Sequence, residues 1–412
     1  MSSNQSAQSD GYKWVMLLVY VLMALGIWSC WFAQAPLLHV YWEPKFHVDL
    51  AKGGLLLSLP GLVAIVLAVT TGRWVDTVGV RKMMILSGVL ASIGFGLRPF
   101  FADSFLANAV LTVIAGYGVC ILTASLPVTM IHWFGHEKGH TFIGIGAGSY
   151  FVGAGIGILG TGFMFGALGA KGVLSVWSVV IVAVTIIWIL FAKDKTGLPT
   201  HERAAFGAEF KKVMQTGSAW LMLIYAIFIS GMTVVAMQIL PGEMIVARHL
   251  PPPMAGLVVG IFAIGMGIGL AILPALGGGM GMKKWSIILC SITLLVWVVY
   301  MIIPSWTVAS LLLFAIIWGF FFEAPWATGL ALLESLPGVT PANIGVAAGT
   351  WTMFVNVGVF FLPLICGAIV DATGGPGAAG FLWTQLIGYG IGLLAVLPVM
   401  GKAAAAARKH TA

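Results

Sequence analysis

The chain has 412 residues, of which 60% are hydrophobic and only 8% are charged, and its formal net charge is +7. Soluble globular proteins carry about 25% charged residues, so this composition excludes a soluble domain and indicates a protein embedded in lipid. Each membrane crossing needs about 20 apolar residues, so the chain is long enough for roughly a dozen crossings.

Twelve apolar runs are predicted as membrane-spanning helices, and we number them as spans one to twelve. The first six cover residues 14–38, 50–74, 82–102, 105–131, 141–166 and 173–192. The second six cover residues 219–244, 254–275, 284–303, 306–333, 344–369 and 379–401. No cleavable signal peptide is expected, because residues 1–12 are polar and the first apolar run is too long for one.

The spans predict an all-α membrane protein with two bundles of six helices. We assign residues 1–13 to an N-terminal tail, 14–192 to the first bundle, 193–218 to a linker, 219–401 to the second bundle and 402–412 to a C-terminal tail. In the linker, Phe206, Phe210 and Met214 recur every four residues, which favours a helix lying at the membrane surface. An ordinary tether is the alternative.

The basic residues predict the orientation of the chain. If both termini are cytoplasmic, about three quarters of the Lys and Arg residues lie on the cytoplasmic side, in agreement with the positive-inside rule. We therefore expect a multi-pass protein of the cytoplasmic membrane. Nucleic acid is not expected as a partner, because the basic residues are scattered over short loops and form no single basic face.

One loop carries a specific motif. The segment between spans two and three reads G-x-x-x-D-x-x-G-x-R-K, with Gly72, Asp76, Gly79, Arg81 and Lys82 at the five fixed positions of that pattern. It resembles the loop between the second and third helices of the major facilitator superfamily, whose members carry small solutes by alternating access. The resemblance implies a gate in which Asp76 meets Arg81 or a helix N-terminus. The alternative is a positive-inside turn with a satisfied aspartate.

The two halves also resemble each other weakly, as the parallel repeats of this superfamily do. Pairs related by shifts of 201 to 204 residues are Gly79 and Gly281, Lys82 and Lys284, Gly144 and Gly345, Gly148 and Gly349, and Gln34 and Gln238. The second copy of the loop is degenerate, because Pro274 and Gly278 stand where the first copy has Gly72 and Asp76.

Glu323 is the main candidate for chemistry. It lies in span ten, about 26 Å from one end and about 15 Å from the other at the helical rise. An ionisable group at such depth costs at least about 2.5 to 3.5 kcal/mol and is a functional candidate by default. Pro325 removes a backbone donor and frees the carbonyl of Phe321, as in the interrupted helices of transporters. The alternative is a neutral carboxylic acid that only stabilises the fold.

The resemblance implies a central cavity lined by spans one, four, seven and ten. The candidate substrate-binding residues are Glu323, Gln34, Gln238, Trp28, Trp31, Trp326, Trp351 and Asn356, and Glu323 is also the candidate for proton coupling. No metal is expected, because the four cysteines have no close neighbours in sequence. No cofactor is expected either, because the glycine-rich stretch of span five is apolar and has neither a strand nor a downstream acidic residue. Arg98 is expected to reach the membrane surface, with Asp103 nearby, rather than to bind an anion.

These features predict a monomeric secondary transporter, not an enzyme, that moves a small organic solute across the cytoplasmic membrane with protons as coupling ion and lipid as its surroundings. Two alternatives stay open: export of lipophilic or cationic compounds by an antiporter, and solute exchange without proton coupling. Span five contains no proline, so it lacks the Gly-Pro pair that drug/proton antiporters of the superfamily carry, which favours a symporter, a uniporter or a solute exchanger over a drug exporter. A membrane enzyme would need a second catalytic group at the depth of Glu323, which the sequence lacks, and a channel would have less use for a gate motif or for two degenerate halves.

Overall fold

A computed structural model describes residues 2–195, 206–277, 279–303, 305–340 and 343–399. This described part is helical and contains no strand. The predicted C-terminal tail and the central part of the predicted linker lie outside the described residues. The short helix Phe206–Val213 lies in the predicted linker, where the sequence predicts a surface helix.

The first half begins with one long helix and its extension. Its elements are α1 (Ser2–Phe32), α2 (Gln34–Leu37), a π-helical turn (Leu38–Trp42), α3 (Glu43–Phe46), α4 (Leu50–Gly53), α5 (Leu55–Val78), α6 (Val80–Gly96), a 3-10 turn (Arg98–Phe101) and α7 (Phe105–Phe191).

The helical segment α7 contains three membrane crossings. Its backbone leaves helical geometry at Gly135, with φ 79° and ψ 168°, and at Gly169, with φ 62° and ψ 179°. Eleven helices of the described chain are long and apolar enough to cross a membrane, and one of them, Thr141–Phe191, has 51 residues and includes Gly169. Dividing that helix at Gly169 gives the twelve predicted spans.

A linker helix and the seven helices of the second half follow in the described chain. These are α8 (Phe206–Val213), α9 (Gly217–Val246), α10 (Pro252–Leu276), α11 (Met282–Ile302), α12 (Val308–Phe322), α13 (Ala324–Glu334), α14 (Ile344–Ala372) and α15 (Ala379–Val396). Span ten is therefore built from two helices, α12 and α13, which meet at Glu323.

Equivalent turns of the two halves share unusual backbone conformations. The non-glycine residues with positive φ in the described chain are His47, at 50°, and His249, at 53°, and they are 202 residues apart. Gly79 and Gly281, also 202 apart, have φ values of 96° and 83°. Left-handed backbone is costly for residues other than glycine, so its recurrence at one offset supports two pseudo-symmetric bundles.

The halves meet along two seams. In the first seam α7 packs against α10, and in the second α5 packs against α14. We call the end of the molecule with the turns at Gly79 and Gly281 the basic end, because Arg81, Lys82 and Lys283 adjoin those turns. The end with His47 and His249 is the opposite end.

The first span is longer than the sequence suggests. The predicted end at residue 38 is wrong, because helical turns continue to Phe46. A hydrogen bond of 2.8 Å from Trp42 Nε1 to Gln34 Oε1 ties the extension to α2, and Trp42 is fully buried. Burial of this indole and satisfaction of its N–H stabilise the added turns. The extension ends where His47 adopts a left-handed conformation.

Arg98 does not reach the membrane surface, so that expectation is wrong. Its side chain is only 1% exposed and donates hydrogen bonds to the Cys30 carbonyl at 3.2 Å and to Thr112 Oγ1 at 2.7 Å. These inward bonds replace the water that the guanidinium would find at the surface. Asp103 instead binds Lys171 and Lys45, and these two ammonium groups lower the pKa of Asp103 to about 2.

Candidate functional site

Glu323 lies at the break in span ten. Helix α12 ends at Phe322 and α13 begins at Ala324, so Glu323 belongs to neither helix. Its side chain is 3% exposed and turns toward the seventh span, where Thr233 Oγ1 on α9 lies 2.6 Å from Glu323 Oε2. The carboxyl group is therefore held inside the second bundle and does not face the acyl chains.

Hydroxyl groups from neighbouring spans satisfy the backbone around this break. A proline two residues after Glu323 has no N–H to offer, so carbonyl groups near it lose helical partners. Two of these carbonyls accept hydroxyl bonds instead, Phe321 from Thr293 Oγ1 at 3.1 Å and Phe322 from Tyr389, and the Pro325 carbonyl, within α13, accepts a further bond from the hydroxyl of Tyr225 at 2.9 Å. The break is thus a stable part of the fold.

Sequence reasoning missed the four hydroxyl residues of this site, Thr233, Thr293, Tyr225 and Tyr389. Each is an isolated polar residue in an apolar span, and such residues often bond to a carbonyl of their own helix. Their common feature is that they converge on residues 321–325 from spans seven, nine and twelve. That convergence is a property of helix packing and leaves no pattern along the sequence.

The two glutamines lie near the opposite end. Gln34 accepts the Trp42 bond within the first half, and its helix α2 packs against α9, which carries Gln238. Gln238 Nε2 donates to the Leu50 backbone carbonyl at 2.8 Å, and the backbone carbonyl oxygen of Gln238 lies 2.8 Å from His39 Nε2. Both glutamines therefore belong to the region where the halves touch, and contact with substrate remains a prediction for them.

A second bond at Leu50 also joins the halves. The Asp371 carboxylate at the end of α14 accepts from the backbone N–H of Leu50 at 2.8 Å and more weakly from that of Ala51 at 3.4 Å. Leu50 thus binds the second half at two backbone groups. Its N–H donates to the second half, and its carbonyl accepts from Gln238. We call this set of bonds the Leu50 latch. It holds the opposite ends of the two halves together.

The tryptophans of span one pack within the first half. Trp28 stacks on Tyr150, with ring centroids 5.0 Å apart and an interplanar angle of 5°, and it also contacts Trp31. Trp31 Nε1 donates to the Leu57 carbonyl at 3.0 Å. The Trp28 Nε1 is buried and has no hydrogen-bond partner among the described residues, so it could donate to a polar solute.

The candidates of the second half lie near the basic side of the break. Trp326 is half-buried and contacts Trp351 at 6.5 Å between ring centroids. Trp351 is fully buried, and its Nε1 likewise lacks a partner in the part of the chain that the structure describes. Asn356 donates from Nδ2 to the Thr352 carbonyl at 2.8 Å. A role of these residues in binding substrate stays a prediction.

The gate motif forms a turn at the basic end. Gly79 supplies the positive φ of that turn, and Asp76 and Lys82 lie at its exposed surface. The backbone N–H of Arg81 donates to Asp194 Oδ1 at 2.9 Å, while Arg81 Nη2 reaches the Ile189 carbonyl at 3.3 Å. The turn is therefore bonded to the end of span six.

A partly buried ion pair lies at the opposite end of the second half. Arg248 Nε is 3.1 Å from Glu243 Oε1, and the Tyr300 hydroxyl donates to Glu243 Oε2 at 2.5 Å. All three residues belong to the second half. Among the described residues, no cluster of His, Cys, Asp and Glu could hold a metal ion.

Two bundles of six helices, a broken helix with a buried carboxyl group and a hydrogen-bonded closure at one end define a carrier of the membrane transporter type. The sequence matches the Major Facilitator Superfamily over residues 16–241. The chain belongs to this superfamily. Comparison with curated protein sequences finds no match.

Solved structures of transporters share this fold. A bacterial homolog of the human lysosomal transporter Spinster, in an inward-facing and unoccupied conformation, is 15% identical, with 96% of each chain covered and a TM-score of 0.71. The nucleoside transporter NupG is 13% identical, with 93% of this chain and 98% of that chain covered and a TM-score of 0.69. A mutant of NupG is 14% identical, with coverage of 93% and 99% and a TM-score of 0.75. At these identities the likeness concerns the fold alone.

Proposed function

We propose that this protein is a secondary active transporter that moves a small organic solute across the cytoplasmic membrane by alternating access, coupled to protons through Glu323. The basic end is the cytoplasmic end, and both termini are cytoplasmic. The working unit is a monomer surrounded by lipid. The observation that carries the proposal is the buried Glu323 carboxyl group at the break in span ten.

The hydrogen bonds of Thr233 support proton exchange at Glu323. The Thr233 hydroxyl lies 2.6 Å from Glu323 Oε2 and 3.0 Å from the carbonyl of Ile229. One hydroxyl proton cannot serve both acceptors fully. An ionised Glu323 requires the Thr233 proton, whereas a neutral Glu323 can itself donate to Thr233 and leave that proton to Ile229. The same geometry therefore accommodates both protonation states.

The surroundings of the site favour a solute that is neutral, weakly acidic or cationic. Trp326 and Trp351 offer aromatic faces on the basic side of Glu323, and such faces attract organic cations. A protonated Glu323 would equally suit a neutral or weakly acidic metabolite that moves with a proton. The buried Arg98 is engaged by Cys30 and Thr112 within the first half, which disfavours an organic anion.

The substitution Glu323→Gln tests the coupling. The solute is first identified by thermal-shift screening of organic cations, amino acids, monocarboxylates and nucleobases at two pH values. Purified protein in liposomes then reports accumulation driven by a pH gradient and exchange at equal pH. We expect the variant to lose accumulation and keep exchange, because glutamine preserves the shape and hydrogen bonding of the side chain but cannot release a proton.

Glu334→Gln is the matched control, since Glu334 is a half-buried carboxyl group on the same span, at the last residue of α13. It should leave gradient-driven accumulation unchanged. Full accumulation by Glu323→Gln would contradict proton coupling and favour exchange of one solute for another. Loss of both activities would assign Glu323 to substrate binding alone.

A further inference from the structure

The first seam, between α7 and α10, is a contact of backbone against backbone. A Cβ atom added at Gly148 would lie 2.5 Å from the carbonyl oxygen of Gly267, and one added at Gly155 would lie 2.5 Å from that of Gly260. These distances are too short for any side chain. The two helices therefore approach as closely as helices can, in the manner of small-residue interfaces within membranes.

This contact runs along the whole seam. At the opposite end, a Cβ at Gly162 would lie 3.1 Å from Gly256 Cα. At the basic end, a Cβ at Gly144 would be in ordinary contact with Ala271, 3.6 Å from its carbonyl oxygen. The first seam is therefore closed at both ends in this structure.

The second seam, between α5 and α14, is in contact along the part that lies nearer the opposite end of the molecule. A Cβ at Gly61 would lie 3.1 Å from the Asn356 carbonyl oxygen, and one at Gly367 would lie 2.9 Å from the Ala51 nitrogen. The Leu50 latch lies at the same place. This half of the second seam is therefore closed as well.

The basic half of the second seam differs. Gly345 and Gly349 precede Asn356 by eleven and seven residues, so the three positions share one face of α14. A Cβ added at Gly345 or Gly349 would meet no atom of the described residues within 4 Å. The same holds for Gly72 near the basic end of α5. The face that contacts α5 farther along is open here.

The internal repeat allows structurally equivalent positions of the two seams to be compared. Gly345 and Gly349 are the equivalents of Gly144 and Gly148 at a shift of 201 residues, and the pairs occupy corresponding turns of α14 and α7. Gly148 is buried and Gly349 is half-buried. Equivalent glycines are thus closed in one seam and open in the other, so the pseudo-symmetry of the two halves is broken at the basic end.

We infer that the first seam is a hinge that stays closed, and that the molecule opens to the basic side through the second seam, between α5 and α14. This inference deepens the proposed function, because it rests on alternating access. The side chains of Val152, Leu159 and Ile264 pack on glycines of the facing helix, and because those glycines offer smooth surfaces, α7 and α10 can tilt against each other while they remain in contact. The same rotation closes Gly72 and Gly345 and breaks the Leu50 latch.

Cysteine labelling tests the inference without any solute. Gly345→Cys and Gly144→Cys are a matched pair, since both positions accept a Cβ without a clash. Each full-length variant is reconstituted with the basic end accessible and treated with a membrane-impermeant sulfonated maleimide. We expect Gly345→Cys to react at least about tenfold faster. The unmodified chain gives the background, because its four cysteines are buried.

Equal labelling rates at the two positions would overturn the inference. If Gly144→Cys fails to fold, Ala271→Cys and Val69→Cys form a second pair at a shift of 202 residues, and Val69→Cys should react faster. Oxidative cross-linking provides another measurement, read by mass spectrometry of the linked peptides. Gly144→Cys with Ala271→Cys should form a disulfide readily, and the equivalent pair, Gly345→Cys with Val69→Cys, should form one slowly; the reverse order would contradict a closed first seam.

These outcomes are separate from those of the coupling experiment. Labelling and cross-linking report the positions of helices and need no transport. Full accumulation by Glu323→Gln, which would contradict proton coupling, would leave the labelling pattern unchanged, whereas symmetric labelling would leave the role of Glu323 intact.

Discussion

Arg98 shows at the scale of one residue how a charge is accommodated inside the first bundle. Its guanidinium group donates to a carbonyl and to a hydroxyl group, and its Cζ lies 4.6 Å from the centre of the Phe95 ring. Neutral acceptors and an aromatic face together replace part of the lost hydration. The bond to Thr112 is the shorter of the two hydrogen bonds, at 2.7 Å.

Thr112→Val should therefore destabilise the protein by about 1 to 3 kcal/mol, the usual cost of leaving a buried donor without its acceptor. Valine has nearly the shape of threonine, so the effect reports the lost hydroxyl. Thermal unfolding in detergent measures the change, and Thr112→Ser, which keeps the hydroxyl, is the control. A valine variant as stable as the serine variant would mean that Arg98 does not depend on Thr112.

The sequence alone predicts the depth of Glu323 in the membrane. It does not predict the direction in which the Arg98 side chain points. A lone acid in the middle of a long apolar run identifies a buried carboxyl group from sequence alone. Arg98 lies near the end of a span, where a long side chain can reach water or turn inward. The choice depends on Cys30 and Thr112, which come from two other spans.

At the scale of helices, glycines determine how closely the spans of the second half pack. Gly269 on α10 faces α12, and a Cβ there would lie 1.7 Å from the carbonyl oxygen of Phe320. Phe320 belongs to the helix that ends just before Glu323. Packing at Gly269 therefore helps to position the break in span ten.

Gly269→Ala should destabilise the protein by about 1 to 3 kcal/mol, as overpacking does. Gly390→Ala is the matched control, because a Cβ at Gly390 would meet no described atom within 4 Å. The control should be neutral or slightly stabilising, since alanine favours helices over glycine by up to about 1 kcal/mol. Unfolding temperatures compare the two, and equal values for both variants would argue against close contact of α10 with α12.

Helix identity followed from sequence better than helix ends did. Apolar runs, charges and glycines separated the spans, and the turn at Gly79 recurs at Gly281 as the repeat predicts. The extension of span one to Phe46 was not predictable, because it depends on the bond of Trp42 to Gln34 and on burial of that ring. Periodicity along the chain does not report such contacts.

At the scale of the whole molecule, the Leu50 latch joins the two halves at the closed, opposite end. Asp371 and Leu50 are 321 residues apart in sequence, and their bond exists only when the two halves meet at the opposite end. No local pattern in the sequence predicts a hydrogen bond between residues so far apart. The latch is therefore the clearest example of what the fold adds to the sequence.

Asp371→Ala should shift the molecule toward a form that is open at the opposite end. A hydrogen bond to a charged group contributes about 1.5 to 3 kcal/mol, which corresponds to at least about a tenfold change in the ratio of the two forms. Ala51→Cys, next to the latch, reports the change by faster maleimide labelling from the opposite side. Asp371→Asn keeps an acceptor oxygen and should have a smaller effect. Unchanged labelling in the alanine variant would mean that other contacts hold this end.

The paired left-handed residues His47 and His249 bear on the ancestry and assembly of the protein. A costly backbone conformation that recurs at one interval is what duplication of a single ancestral gene leaves behind. Each descendant unit contains an even number of crossings, so each fragment of a chain severed between spans six and seven has both of its ends on the same side of the membrane. We expect the two fragments, translated separately in one cell, to find each other and restore a working carrier.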